Sequence, residues 1–408
     1  MKARSRYVIV LGDGMADTPR PELGGLTPLQ YAGTPHMDRV AASGVMGLVR
    51  TVPEGLPPGS DVANLSVMGY DPLRYYTGRS PLEAVSMGVE LGAADIAFRC
   101  NLVTLSAGEP YRAKTMVDYS AGEISAEEAR ELIRAVDEQL GGDKIRFYPG
   151  ISYRHLMVWA DGPAGSRLTP PHDISGRLIA DYLPDGDGRE ELRDLMYRSW
   201  EILSRHPVNL ARVARGLRPA NSIWFWGQGK KPLLPPFTET YGLSGAVISA
   251  VDLIKGIGIC AGMEVIEVPG ATGNIHTNFR GKALAALEAL ARGVEFVYVH
   301  VEAPDEAGHQ GDTQLKVQAI EAVDRLVLGE ILKGLEEYPS YRVMVLPDHP
   351  TPISIRTHSS DPVPFAFAVD AVVPDGRTVR PYSEEAALAA NLFLPDGMGL
   401  MRRFLGIE

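Results

Sequence analysis

The sequence predicts an α/β fold with a mainly parallel sheet, and three observations carry that expectation. Continuous apolar runs at residues 7–11, 296–301 and 343–346 each stop where glycine, proline or acidic residues begin, and such runs read as strands buried on both faces. Between the second and third, Val317, Ile320, Val323, Val327 and Ile331 recur at helical spacing, which makes a strand-helix-strand unit with its loops on one edge of the sheet. Just past the strand ends lie Gly12-Asp13-Gly14, the segment from Asp305 to His309, and Asp348-His349. Ligands of open α/β sheets bind beyond the carboxyl ends of the strands, so these side chains stand where a site belongs.

In chain order, the run at 7–11 is the central strand. Pro57-Pro58-Gly59-Ser60-Asp61 then leads into Val62-Ala63-Asn64-Leu65, placing Ser60 at the start of a helix, where unpaired backbone N–H groups favour an alkoxide or a phosphate. Residues 98–105 read as a strand. Ser125 and Glu128 form a capping box that opens a helix with Leu132, Ile133, Val136 and Leu140 on one face. Strands at 145–148 and 155–159 follow, then loops rich in Gly and Asp at 161–165 and 185–188. This middle stretch differs in texture from the two ends. We therefore expect 96–220 to be an inserted, smaller α/β cap, and 1–95 with 221–408 to be the core.

Size and charge narrow the function classes. A chain of 408 residues exceeds one average domain, and 45% hydrophobic with 22% charged residues is ordinary for a globular enzyme. The net charge of -11, with no basic patch, argues against nucleic acid as a partner. The basic residues at 1–6 are followed by a short apolar run before Gly12, too short for a signal peptide or membrane span. Cys100 and Cys260, each in an apolar context, are expected to be buried thiols in a reducing compartment, which makes the cytoplasm the expected location.

Singly, the acidic and histidine residues have ordinary explanations. An Asp after a strand often caps a helix or starts a turn, as Asp13 or Asp348-His349 could. Asp305 and His309, four apart, could be a surface pair on one helix face, and His358 a satisfied polar histidine. Together they place carboxylates and imidazoles at several strand mouths, which suits a two-metal phosphoryl-transfer site, with Ser60 as the missing nucleophile.

The order Asp13, Ser60, Asp305, His309, Asp348, His349, His358 resembles that of the 2,3-bisphosphoglycerate-independent phosphoglycerate mutases, within the alkaline phosphatase superfamily. Pro58-Gly-Ser-Asp-Val-Ala-Asn-Leu65, Gly69-Tyr-Asp-Pro72, Tyr75-Tyr-Thr-Gly-Arg-Ser-Pro-Leu-Glu83, Phe98-Arg-Cys-Asn-Leu102 and Val301-Glu-Ala-Pro-Asp-Glu-Ala-Gly-His309 resemble the short archaeal-type branch over essentially the full length. The resemblance implies an alkaline-phosphatase-like three-layer core with an inserted cap. It also implies two divalent ions, Mn2+ foremost with Zn2+, Co2+ or Mg2+ as alternatives: Asp13, Ser60, Asp348 and His349 would hold one, and Asp305, His309 and His358 the other. Mixed nitrogen and oxygen ligands suit Mn2+ or Zn2+ better than Ca2+.

The reaction so implied belongs to glycolysis and gluconeogenesis. 3-Phosphoglycerate gives its phosphoryl group to the catalytic Ser60, glycerate turns in a closed site, and its other hydroxyl takes the group back, with no diffusible 2,3-bisphosphoglycerate. Water must be kept out, or phosphoserine hydrolyses and the mutase becomes a phosphatase. The substrate's phosphate and carboxylate need cations, and the candidates are Arg79, Arg154, Lys230 after Trp224-Phe-Trp-Gly-Gln-Gly, and Lys255. Lys255 is the lone cation in the apolar stretch 246–259, which also holds Asp252, and is read as aimed at the site.

Three other readings compete. Relatives in this branch have been proposed as homoserine kinases, so phosphotransfer to another small hydroxylated metabolite is one; a simple metal-dependent phosphatase is a second. A kinase of the P-loop kind is disfavoured, because Gly281-Lys282 is followed by Ala283 and lacks the preceding glycine. A metal-binding scaffold is the third, and the complete ligand set with its nucleophile argues against it. The expected partner is a small phosphorylated metabolite, with neither nucleic acid nor membrane, and nothing in the sequence speaks to oligomeric state.

Overall fold

In the computed structural model, which describes residues 5–108, 110–371 and 381–407, the Arg6–Gly12 strand runs parallel between Phe296–Val301 and Tyr341–Leu346. Gly245–Ile248 and Glu264–Val265 extend the sheet in parallel on the Phe296–Val301 side. On the other side Val363–Val369 is antiparallel, and Val45–Val49 and Phe393–Leu394 complete the order. All three apolar runs read from the sequence are therefore adjacent, and the sheet is mainly parallel.

Strand alternation builds a core on each face. Val8, Val10, Val297, Val299, Val343 and Val345 join one large buried cluster with the helices Pro35–Ser43, Phe279–Ala291 and Thr313–Ala322. The opposite face receives Ser60–Val67, Asp252–Cys260 and Gly397–Leu405, and Phe404 of the last packs edge-on against Tyr7 and Phe367. Helices, sheet and helices make three layers. The helix expected around 317–331 is present, with its apolar positions buried, but a π-helical stretch, Val323–Leu328, interrupts it.

The chain divides into two compact units, Met1–Tyr76 with Leu233–Glu408, and Thr77–Pro232. The second unit starts earlier and ends later than the 96–220 read from the sequence. Two contacts set its limits: the helix Ser80–Ser86 packs on the strand Ile96–Leu105, and Ser222–Lys230 pairs with that strand along its length. Arg154–Trp159 pairs with its other edge, followed by Ile145–Tyr148, all antiparallel. Ala126–Leu140 and Arg189–Leu203 cover one face, burying Leu132, Ile133, Val136, Leu192 and Met196 against Phe98, Cys100 and Leu102. The Ser125 cap forms, but its reciprocal half does not, because Glu128 is drawn to Arg212 and Arg215 instead. Cys100 is buried as expected, whereas Cys260, at a helix end, is only half-buried; the two are not joined in a disulfide. Among the described residues no helix is long and apolar enough to cross a membrane.

Candidate active site

The first unit gathers Asp13, Ser60, Asp305, His309, Asp348, His349 and His358 at the carboxyl ends of its parallel strands. Asp13 directly follows the central strand, and its N–H is tied to Val301 O at 2.9 Å. Gly14 turns the chain with φ +62°, and a Cβ there would lie 2.7 Å from Asp305 Oδ1, so glycine is required by both conformation and space. Its N–H donates to Asp348 Oδ1 at 3.2 Å, joined by His349 N–H at 2.9 Å. Ser60 opens the helix Ser60–Val67, and its hydroxyl oxygen lies 3.1 Å from His349 Nε2 and 3.5 Å from Asp13 Oδ2. One turn on, the Asn64 amide donates to Ser60 O and to Asp348 Oδ2, both at 2.8 Å, while Tyr298 O–H donates to Asn64 Oδ1 at 2.6 Å.

The ligand-type side chains fall into two groups, Asp13 with Asp348 and His349, and Asp305 with His309 and His358, each with its donor atoms within 4.8 Å of one another. Hydrogen bonds orient all three imidazoles the same way. His309 Nδ1–H donates to Arg356 O at 3.0 Å, and His358 Nδ1 faces Pro58 O at 3.4 Å. Thr351 donates its hydroxyl proton to Asp305, which leaves its oxygen to accept from His349 Nδ1–H at 3.3 Å. Every Nε2 therefore turns inward, the tautomer that metal-bound imidazoles adopt when Nδ1–H is held by an acceptor.

Two observations show that cations fit here. Asp13 Oδ1 is buried with no hydrogen-bond partner, a costly orphan for a carboxylate unless something positive occupies its lone pairs. Burial first, then the neighbouring Asp348, Asp305 and Glu302 carboxylates, push Asp13 well above its ordinary pKa; such crowded carboxylates ionise together only with added positive charge. The second group shows how protons substitute. The Nε2 atoms of His309 and His358 face each other at 2.9 Å, and the hydrogen bond to Asp305 raises His309 to about 9. Against the cost of burial, the same histidines hold Asp305 well below the usual carboxylate range.

His300 was not singled out by the sequence reading. Its Nε2 lies 3.0 Å from Asp13 Oδ2 and its Nδ1 3.2 Å from Ser249 Oγ, and burial lowers its pKa to about 3. The available signal was its alternation with Tyr298 in an otherwise apolar strand, two polar side chains on one face.

Arg79, Arg154 and Lys230 lie in the other unit. There Arg79 Nε and Arg99 Nε share Glu83, at 3.0 and 2.8 Å. Burial of Glu83 is outweighed by these two guanidinium groups, which keep its pKa low. Arg99 also lies 4.5 Å from the Trp226 ring, whose Nε1–H donates to Asn101 Oδ1 at 3.0 Å. Arg154 rests on Tyr153, 4.9 Å from its ring, and its positive charge bears on buried Arg99. Lys230 is exposed at a cavity of about 260 Å³ with Thr77, Ile96 and Gln228. Lys255 lies in the same unit as the ligand groups, on the helix Asp252–Cys260 that packs against Ser60–Val67, and its ammonium meets Glu267 at 2.7 and 2.9 Å.

Comparison with known proteins bears on the family and the fold. The profile of the family 2,3-bisphosphoglycerate-independent phosphoglycerate mutase matches residues 41–209. A curated relative from Methanothrix thermoacetophila, named 2,3-bisphosphoglycerate-independent phosphoglycerate mutase, is 54% identical over 398 residues, covering 97% of this chain and 98% of its own. The chain belongs to that family. Within the family's solved structures, the cofactor-independent phosphoglycerate mutase from Thermoplasma acidophilum superposes with a TM-score of 0.65 at 26% identity, covering 99% of this chain and 100% of that one. A protein from Pyrococcus horikoshii gives 0.82 at 30% identity, covering 100% and 98%.

Proposed function

We propose that this member of the mutase family interconverts 3-phosphoglycerate and 2-phosphoglycerate through a phosphoserine at Ser60, in the cytoplasm, with two divalent ions of which Mn2+ fits the ligand set best. The observation that carries the reading is the contact of Ser60 Oγ with His349 Nε2 and Asp13, beside the partnerless Asp13 Oδ1. Asp13, Ser60, Asp348 and His349 would hold one ion, and Asp305, His309 and His358 the other. When bound, the ions lower the serine hydroxyl's pKa and offset negative charge on the phosphoryl oxygens.

The chain's own groups do the rest. Ser60 Oγ attacks phosphorus, the P–O bond to C3 of glycerate breaks, and the C3 oxygen gains a proton as Ser60 has lost one. Glycerate then presents its C2 hydroxyl, which attacks the phosphoserine, loses its proton and returns Ser60 to its starting form. Ser60 stands at the first residue of its helix, an end of the helix dipole that favours a phosphate, and Asn64 keeps Ser60 and Asp348 in register. Arg79 and Arg154, with Arg99 added from the structure, are the anion-binding groups of the inserted unit, and Lys230 is a further candidate there. The 54% identical relative's name favours the mutase over a homoserine kinase or a phosphatase.

The test compares turnover of 3-phosphoglycerate with Mn2+ alone, without nucleotide or bisphosphoglycerate, with turnover of homoserine plus ATP. 2-Phosphoglycerate as the main product supports the proposal; free phosphate as the main product replaces it with a phosphatase, and activity only with homoserine and ATP replaces it with a kinase.

A further inference from the structure

His300 is the penultimate residue of the Phe296–Val301 strand, fully buried, and opposite Leu11 in the pairing that delivers Asp13 to the sheet edge. Its neighbours define where its proton sits. Val251 N–H donates to Ser249 Oγ at 3.0 Å, which frees the Ser249 proton for His300 Nδ1 at 3.2 Å. With Nδ1 an acceptor, the ring proton is on Nε2 and goes to Asp13 Oδ2 at 3.0 Å. Lys282 Nζ donates to His300 O at 2.9 Å and pins the strand end. Oδ2 of Asp13 is thus occupied from behind, while Oδ1, 3.6 Å from His349 Nε2, has no partner.

We propose that His300 is a positioning residue: its Nε2–H holds Asp13 through Oδ2 so that Oδ1 stays turned toward His349 and Asp348, ready for a divalent cation, with Ser249 setting the ring tautomer. This rests on reading Asp13, Asp348 and His349 as ligands of one ion. A carboxylate with one soft side-chain torsion and no rear partner could swing to a backbone donor; the histidine removes that freedom before any ion arrives. Because the hold is a directed hydrogen bond, it should act on one ion site and leave the Asp305, His309 and His358 group alone.

The experiment is Mn2+ binding to the full chain by calorimetry and equilibrium dialysis, with circular dichroism to confirm folding. Wild type is expected to take up two ions. His300→Leu should bind one of them about 10- to 100-fold more weakly, with the other unchanged. His300→Gln, whose amide N–H can reach the place of Nε2, should restore affinity to within about threefold of wild type, since it supplies a neutral donor in the same direction. A role in packing alone would lower stability without singling out one ion. His300→Leu with both affinities unchanged, or Leu and Gln variants equally weakened, overturns the proposal. Should His300→Leu not fold, Ser249→Ala decides: a several-fold loss at one ion site supports the hold, and no change overturns it. Wild type that binds no ion at all overturns the metal reading itself, and this one with it.

Discussion

In the sheet unit, Asp13, Asp305 and Asp348 are buried at 1%, 5% and 0% exposure, among histidines whose Nε2 atoms point at one another. In the inserted unit the arrangement is reversed: Arg79 and Arg99 share Glu83, Arg154 adds its charge near Arg99, and Trp226 and Tyr153 back Arg99 and Arg154. The first arrangement is short of positive charge and the second of negative charge. Burial makes the first far more demanding, because a buried carboxylate without a counter-charge must take up a proton, whereas in the second only Arg99 is buried, beside Glu83, and Arg79 and Arg154 keep access to solvent. The difference teaches that the two units concentrate opposite charge: a buried anionic group beside Ser60 in one, and a partly exposed cationic group in the other.

The harshest test of the anionic group is Ser60→Ala, which should lower turnover on the order of 10^4-fold or more, as removal of a nucleophile does, with the fold and the cationic group intact. Mass spectrometry of wild type quenched with substrate should find phosphate on the peptide carrying Ser60; phosphate elsewhere, or an active alanine variant, would sink the assignment. Asp305→Ala and His358→Ala come next. Each should lose one equivalent of bound metal and about 10^3-fold in rate, corresponding to several kcal/mol of charge stabilisation; full stoichiometry in both variants would refute the second ion site.

The cationic group should respond differently. Arg99→Met is expected to raise KM for phosphoglycerate by about 10- to 100-fold, the worth of a charged hydrogen bond, while metal content stays at the wild-type level. A variant that instead loses metal would erase the contrast between the two regions. The mildest effect is a pH dependence. His309 has its folded-state pKa raised to about 9 from an ordinary 6.5, so in metal-free protein its contribution to stability is fully present below about pH 6.5 and fades as pH rises to about 9. Loading must expel that proton, so Mn2+ affinity should rise across the same window and about one proton should leave His309 per chain. Calorimetry at pH 7.5 in buffers of different ionisation enthalpy reads this directly, and binding without proton release would contradict it.

What could be read from the sequence was local. Apolar runs announced the three central strands, and Ser60, Asp305 with His309, and Asp348-His349 stood out because each sits within a few residues of a strand end or helix start. His300 was hidden because its role depends on which strand lies beside which: only the pairing of Leu11 with His300 brings it behind Asp13. Arg99 was similarly obscure, a single cation in an apolar strand, until the pairing with Trp226 gave it a neighbour. Val363–Val369 escaped notice for a different reason. Pro364 within it argues against a central strand, yet the strand sits between Tyr341–Leu346 and Val45–Val49. The compact unit Thr77–Pro232 runs wider than 96–220 because pairing of 222–230 with 96–103, invisible in composition, ties the later strand to it.

The pairing of Arg6–Gly12 with Phe296–Val301 and Tyr341–Leu346 also orders events during synthesis. The first strand leaves the ribosome with no neighbour of its own. At about 5–20 residues per second it waits roughly 15–60 seconds for the strand beginning at Phe296, while Thr77–Pro232 emerges in one uninterrupted piece and can settle first. Asp348, His349 and His358 follow later still. On the proposed reading, a nascent chain carries Asp13 and Ser60 long before Asp348 and His349 join them, so a prematurely terminated product would hold Ser60 with neither ion group complete.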